Sequence, residues 1–351
     1  MSQLYPLLTQ PKLVEPIWGG SSLANWLDLP EPRPSRLGES WQVYDTNLVT
    51  NGPLAGCSLA ELARAHGAAL VGTRTMARYG PDFPLLAKFI DAADRLSIQV
   101  HPDDSYAHTV EAQTGFHGKT EAWLIVAAAA GADVTYGLAQ LTSREAFAAA
   151  VAEGRVEELV QRIAVQADDV VFVPAGTIHA INAGIVLFEI QQKSDLTYRV
   201  YDYDRRDATT GQPRELHLAK ALDVIDYQPP GQGLIAPLAL GTSGAALLVA
   251  CPYFALERQR LEKACAMTVD SGTFQIVTLL NGALALEWDG GALRLRRGES
   301  AVIPAHQAEY RLAPTEPSEL LRAYVPDLDQ LRAELHAAGH SDARIAQTVF
   351  P

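Results

Sequence analysis

Along most of the chain, apolar residues come in short runs, many alternating with polar ones and closed off by Gly, Pro, Asn or Asp. The segments 96–100, 121–126, 170–173, 185–191, 274–280, 283–288 and 300–303 have this form. Such a two-residue period sends alternate side chains to opposite faces, which predicts strands. So many short strands with turn signals between them predict a mainly β fold of the jelly-roll kind, with a few peripheral helices. Helical spacing is rarer. Thr142 and Glu145 have the spacing of a capping box, and the apolar positions after them recur at helical intervals to about Ile163. Further helices are predicted near residues 58–66, 104–112 and 327–338.

An internal repeat divides the pattern. Residues 168–175 (DDVVFVPA) align with residues 298–305 (GESAVIPA) at an offset of 130, each a turn, a buried strand and a Pro-Ala corner. Two barrel units follow, separated by the Pro- and Gly-rich stretch near residues 228–244. That stretch lies within 30 consecutive uncharged residues, 227–256, yet its prolines break it too often for a membrane-spanning helix. The expected organisation is a first, metal-binding unit over 1–235 with inserted helices, a second, degenerate unit over 245–325, and a helix and tail over 326–351.

Charge narrows the partners. The 28 Lys and Arg against 41 Asp and Glu give a net charge of −13, which argues against nucleic acid and anionic membranes as partners. Any phosphate would have to be held by a few local cations. The three cysteines, Cys57, Cys251 and Cys265, are scattered and lack CxxC spacing, so neither a disulfide framework nor a thiolate metal site is expected. The first residues lack a basic segment followed by an apolar one, so no signal peptide is expected, and a cytoplasmic location follows.

Metal-type donors gather in the first half. Gln99 and His101 end an apolar run two residues apart and so share one strand face. Glu121 opens the run EAWLIV, and His179 follows a Pro-Ala-Gly turn that can aim its ring back toward a barrel interior. Together they form a nitrogen and oxygen set without thiolate that suits one Zn²⁺ with an open position, with Mn²⁺, Co²⁺ and Fe²⁺ as the alternatives such a set also admits. A single histidine is more often a satisfied polar residue than a ligand. His108 and His117 read as bystanders, and His306, alone in the second unit, as a turn residue.

The run PAGTIH (174–179) resembles the second motif of cupin barrels, with QVH (99–101) standing where cupins carry H-x-H. More specifically, PIWGG (16–20), GESW (38–41), PLLAKFIDAADRLSIQVHPDD (84–104), GKTEAW (118–123), VPAGTIHAI (173–181) and QQKSDLTYRVYDYDR (191–205) resemble, in order, the type I phosphomannose isomerases in their shorter bacterial form. The resemblance implies two cupin barrels and interconversion of mannose 6-phosphate and fructose 6-phosphate with one bound zinc. It places the metal ligands on Gln99, His101, Glu121 and His179, a catalytic arginine on Arg199, and substrate-facing lysines on Lys88 and Lys119. Lys119 would be a proton shuttle or a hydroxyl contact, with contact favoured. Lys88, Lys193, Arg205 and Arg206 are the cations at hand for a 6-phosphate. The sequence departs from the pattern at Asp168, where cupins carry glycine, and after GESW, where Gln42, Val43 and Tyr44 follow. Read without the resemblance, Arg199 could simply pair with Asp195, Asp202 or Asp204. An Fe²⁺-dependent cupin oxygenase and a non-catalytic sugar-binding cupin are the competing functions.

Overall fold

Strand parity separates the chemistry from the packing. In Ile98–Val100, the outer residues Ile98 and Val100 join an apolar layer with Ala180, Tyr198 and Val200 of neighbouring strands. Phe147 and Ala221 cover that layer from the helices Arg144–Ala152 and Leu218–Val224. Gln99, His179 and Arg199 occupy the opposite parity and therefore face inward. A single-residue slip of register would place every one of them under the helices instead.

The computed structural model describes residues 4–206, 211–241 and 244–351. Its strands assemble into antiparallel sheets belonging to two compact units. One unit comprises Leu13–Ser40 and Phe89–Leu234. Its five-stranded sheet runs in the order Tyr198–Tyr201, Ile98–Val100, His179–Ile181, Asp133–Leu138, Val160–Ala164. The facing sheet contains Val170–Val173, Glu121–Ala128 and Ile185–Gln192 as neighbours. Trp123, Ile125, Val171 and Leu187 from this second sheet meet Val134, Tyr136 and Ile181 from the first in one core. This is the jelly-roll arrangement expected from the alternation.

The other unit comprises Met1–Lys12, Trp41–Lys88 and Ile235–Pro351. Seven strands form one sheet, in which Gln275–Asn281, Ser318–Tyr324 and Ala255–Leu261 are central neighbours. Cys265–Thr268, Glu309–Pro314, Ala283–Trp288 and Gly291–Arg296 form the other. The repeat is visible here: Val170–Val173 and Ser300–Ile303 are both four-residue strands buried throughout. Asp168 has φ 76° and Gly298 φ 79°, so the aspartate adopts the left-handed turn conformation for which its cupin counterpart uses glycine.

The units differ from the contiguous domains expected. Residues 41–88 belong with the C-terminal barrel, where the carbonyls of Leu70 and Val71 accept the backbone N–H groups of Ala305 and Phe274, and the rings of Phe83 and Phe274 lie 4.6 Å apart. The C-terminal helix Leu328–Ala337 packs in this unit too, burying Leu331 and Leu335 against Leu247 and Ala255.

Two helix expectations also change. The helix expected to reach Ile163 spans Arg144–Ala152, and its N-cap is Ser143, whose Oγ accepts the Ala146 N–H at 3.1 Å. Gly154 then turns the chain at φ 72°, and Val160–Ala164 pairs as a strand with Asp133–Leu138. The helix expected over 104–112 is Asp104–Thr109, capped by Asp103, followed by a 3₁₀ turn at Ala112–Thr114.

Candidate metal centre

Register brings the expected donors together. Arg199 pairs with Gln99, Gln99 with His179, and His179 with Tyr136, so these residues form one row across the inner face of the five-stranded sheet. On the facing sheet, Glu121 lies between Gln191 and Val173, and Trp123 between Glu189 and Val171. The turn 174–179 completes the alignment. Gly176, at φ 87°, donates its N–H to the His101 carbonyl at 2.9 Å, tying one histidine segment to the other. A side chain there would be strained and would press a Cβ to 3.1 Å from the Val224 carbonyl oxygen.

His101, Glu121 and His179 are each only 1% exposed. Glu121 Oε1 lies 3.2 Å from His179 Nε2, and Oε2 lies 3.5 Å from His101 Nε2. Both imidazoles have their Nδ1 atoms at 2.8 Å from backbone carbonyls, of Leu196 for His101 and Thr177 for His179. A carbonyl can only accept, so each Nδ1 carries a proton, and Nε2 is the atom of each ring that faces the carboxylate. Two imidazoles and a carboxylate, buried and with their ligand atoms within 4.8 Å of one another, are a donor set that fits a divalent cation.

Lys119 supplies positive charge at the same place. Its Nζ donates to His101 Nε2 at 2.9 Å and to Glu121 Oε2 at 2.8 Å. Burial lowers the His101 pKa well below the ordinary imidazole value, and the Lys119 charge lowers it further, so the ring is neutral. For Glu121, burial alone would raise the carboxyl, but the charge of Lys119 leads the opposing interactions and the group is held well below the usual carboxylate range. An ionised carboxylate and a neutral imidazole are the protonation states that metal binding needs.

Gln99 and Arg199 lie beside this group. The Gln99 amide nitrogen is 3.4 Å from His179 Nε2. Arg199 donates from Nε to Ser97 Oγ at 3.3 Å and from a terminal nitrogen to the Glu215 carbonyl at 2.8 Å. Burial, followed by the charge of Arg214, lowers its pKa. Asp202, an alternative partner for Arg199, forms its ion pairs with Arg214 and with Arg205 at 2.6 Å. Arg205 also reaches Asp94 at 3.3 Å, so its guanidinium is already engaged by carboxylates. Arg206 donates to the Gly211 carbonyl at 3.1 Å. Lys88 belongs to the other unit, buried, with Nζ 5.9 Å from the centroid of the Trp41 ring.

Trp123 and Glu189 escaped the sequence reading. The indole meets His179 edge to face with centroids 5.6 Å apart, while its Nε1 donates to Glu189 Oε2 at 2.9 Å. Strand parity could have found both, since Trp123 is two residues from Glu121 and Glu189 two from Gln191. His108 and His117 were read as bystanders, yet His108 Nε2 and His117 Nδ1 lie 3.0 Å apart, and with Asp104 they form the second grouping of metal-type side chains among the described residues. It is less buried than the first, and Asp104 Oδ1 already accepts from the Gly118 N–H at 2.9 Å and the Gln192 amide at 2.8 Å. His306 is exposed.

Family comparisons agree with the geometry. The family model for the phosphomannose isomerase type I catalytic domain matches residues 7–122, and that for the mannose-6-phosphate isomerase cupin domain matches residues 245–317. A mannose-6-phosphate isomerase of Streptococcus mutans is 34% identical over 303 residues, covering 85% of this chain and 92% of that protein. The chain belongs to the type I phosphomannose isomerase family. The crystal structure of the Bacillus subtilis mannose 6-phosphate isomerase is similar throughout, with a TM-score of 0.80 at 32% identity over 91% of this chain and 99% of that one. A zinc-bound mannose 6-phosphate isomerase shares the fold, with a TM-score of 0.72 at 17% identity over 92% of this chain and 100% of that one. No described helix of this phosphomannose isomerase family member is long and apolar enough to cross a membrane.

Proposed function

We propose that this chain is a cytoplasmic, metal-dependent aldose–ketose isomerase that interconverts mannose 6-phosphate and fructose 6-phosphate through a cis-enediol. The observation that carries the reading is the buried His101, Glu121 and His179 group with Lys119 against it, in a chain of this family. The location rests on cysteines that are all free.

Isomerisation moves a proton between C1 and C2 and shifts the carbonyl, so the site must lower the cost of negative charge on two adjacent oxygens. His101, Glu121 and His179 would hold one divalent ion, Zn²⁺ by the donor chemistry, with Gln99 as a fourth ligand once its amide turns to present Oε1. The ion supplies Lewis acidity toward the sugar oxygens. Glu121 keeps its carboxylate at neutral pH because the charge of Lys119 helps outweigh its burial, and burial together with that charge keeps His101 neutral. The carbonyls of Leu196 and Thr177 fix the ring orientations. Lys119 donates to both His101 and Glu121 and so suits a hydroxyl contact rather than proton abstraction. Arg199, held by Ser97 and the Glu215 carbonyl, places a permanent positive charge on the same inner row as Gln99.

His101→Ala tests this assignment. The variant should lose bound metal, read by elemental analysis, together with turnover of mannose 6-phosphate in a coupled assay. Full activity in a metal-free His101→Ala protein would contradict it.

A further inference from the structure

We propose that the C-terminal barrel holds a second small-molecule site, for an uncharged polyhydroxylated ligand, independent of the metal-type cluster. The inner face of this barrel changes character along its length. Glu257 pairs with Arg322, and Arg322 with Val277, so all project to one side. Toward one end the same parity carries Leu261, Leu279 and Leu320 into an apolar core with Leu284 and Leu286. Toward the other it carries Gln275 and Tyr324, which with Glu257, Arg322 and, level with Leu320, Gln259 face a cavity of about 370 Å³. That volume falls in the range of small-molecule pockets.

The polar lining is buried and ordered. Glu257, Gln259 and Gln275 are all less than a tenth exposed. Arg322 donates to Glu257 Oε2 from Nε at 3.0 Å, and the Tyr324 hydroxyl donates to Oε1 at 2.5 Å. Gln275 accepts from the Tyr310 hydroxyl at 2.8 Å and donates to the Thr268 carbonyl at 3.0 Å. Apolar residues of the same volume would hold these strands as well or better, because burying an ion pair rarely adds net stability. Stability alone therefore leaves a polar-lined void unexplained, whereas a polar ligand accounts for it.

Charge selects the ligand. Glu257, Asp270, Asp327 and Glu334 line the cavity; Glu257 holds Arg322, the one cation among the described lining residues, and Arg74 reaches Asp270 at 2.7 Å and Asp327 at 3.8 Å, so the four carboxylates still outnumber the two cations that pair with them. A phosphorylated sugar would meet net repulsion there. Amides and hydroxyls suit uncharged hydroxyl groups, and the sulfurs of Cys265 and Met267, 3.8 Å apart on one wall, suit a C–H face. Burial raises the Cys265 pKa, so its thiol stays neutral at pH 7.

Cys265 also gives the test. In the full-length His101→Ala protein, with the metal-type cluster disabled, alkylation of each cysteine by iodoacetamide is followed by peptide mass spectrometry at increasing mannitol, mannose or mannose 6-phosphate. Mannitol or mannose should slow Cys265 saturably, roughly tenfold at ten times Kd, while leaving Cys57 unchanged. The protection should disappear in Gln259→Leu, and mannose 6-phosphate should protect only at far higher concentration. The absence of saturable protection by either uncharged probe, equal protection in Gln259→Leu, or stronger protection by the phosphorylated sugar would each overturn the proposal.

Discussion

Glu121 connects the donors of the site. One carboxylate oxygen faces His179, and the other faces both His101 and Lys119, whose charge leads the interactions that keep it ionised against the cost of burial. Arg199 is different: it touches none of these donors among its hydrogen bonds, being held by Ser97 and the Glu215 carbonyl. Arg199→Ala should therefore leave bound metal unchanged and reduce kcat about 10²- to 10³-fold, the scale for removing one charge-stabilising donor. Metal loss in that variant would mean Arg199 supports the ligands instead. Asp202 gives a pH-dependent prediction. Burial raises its carboxyl, but Arg214 and Arg205 outweigh this and lower the pKa. A carboxylate lowered by folding adds stability above the ordinary carboxylate pKa and loses it as pH falls through the folded value. Asp202→Asn should be less stable than the parent at neutral pH, and the difference should shrink on acidification through about pH 4 and below. Urea midpoints across pH check this, and a constant difference would contradict it.

At the scale of elements, parity was the readable part. Gln99 with His101, and Glu121 with Trp123, share faces because strands alternate every two residues, so most of the donor set could be read before any contact was known. The Asp168 turn was legible as a departure from the cupin pattern, and the backbone shows what replaces the glycine. Helix ends were less legible, since the apolar residues after Gly154 fit a helical period by chance and pair as an edge strand. The docking of residues 59–83 could not be read at all, because it depends on contacts about 200 residues away in sequence. Gly72 marks the tightest of these. It has φ 92°, and a Cβ there would lie 2.3 Å from the Gly272 carbonyl carbon. Gly72→Ala should cost about 1–3 kcal/mol from backbone strain alone, and more from the clash, read as a lower denaturation midpoint. An unchanged midpoint would show that this contact does not hold the helices to the barrel.

At the scale of the molecule, the repeated barrel has diverged in use. Both groupings of metal-type side chains among the described residues lie in the unit that contains residues 89–234, while the inner polar residues of the other unit include Glu257, Gln259 and Arg322 around a cavity. The net charge of −13 fits this division: an anionic substrate needs local cations, and in the function proposed above Lys119 and Arg199, on the inner faces of the unit that carries the metal-type groupings, would provide them. The most direct measurement is a zinc titration of chelator-treated protein with mannose 6-phosphate as substrate and fructose 6-phosphate formation as readout. Turnover should be absent in the metal-free protein and rise in proportion to added zinc, reaching its plateau at one ion per chain. Undiminished turnover without metal, or a chain that binds its zinc and forms no fructose 6-phosphate, would contradict the account.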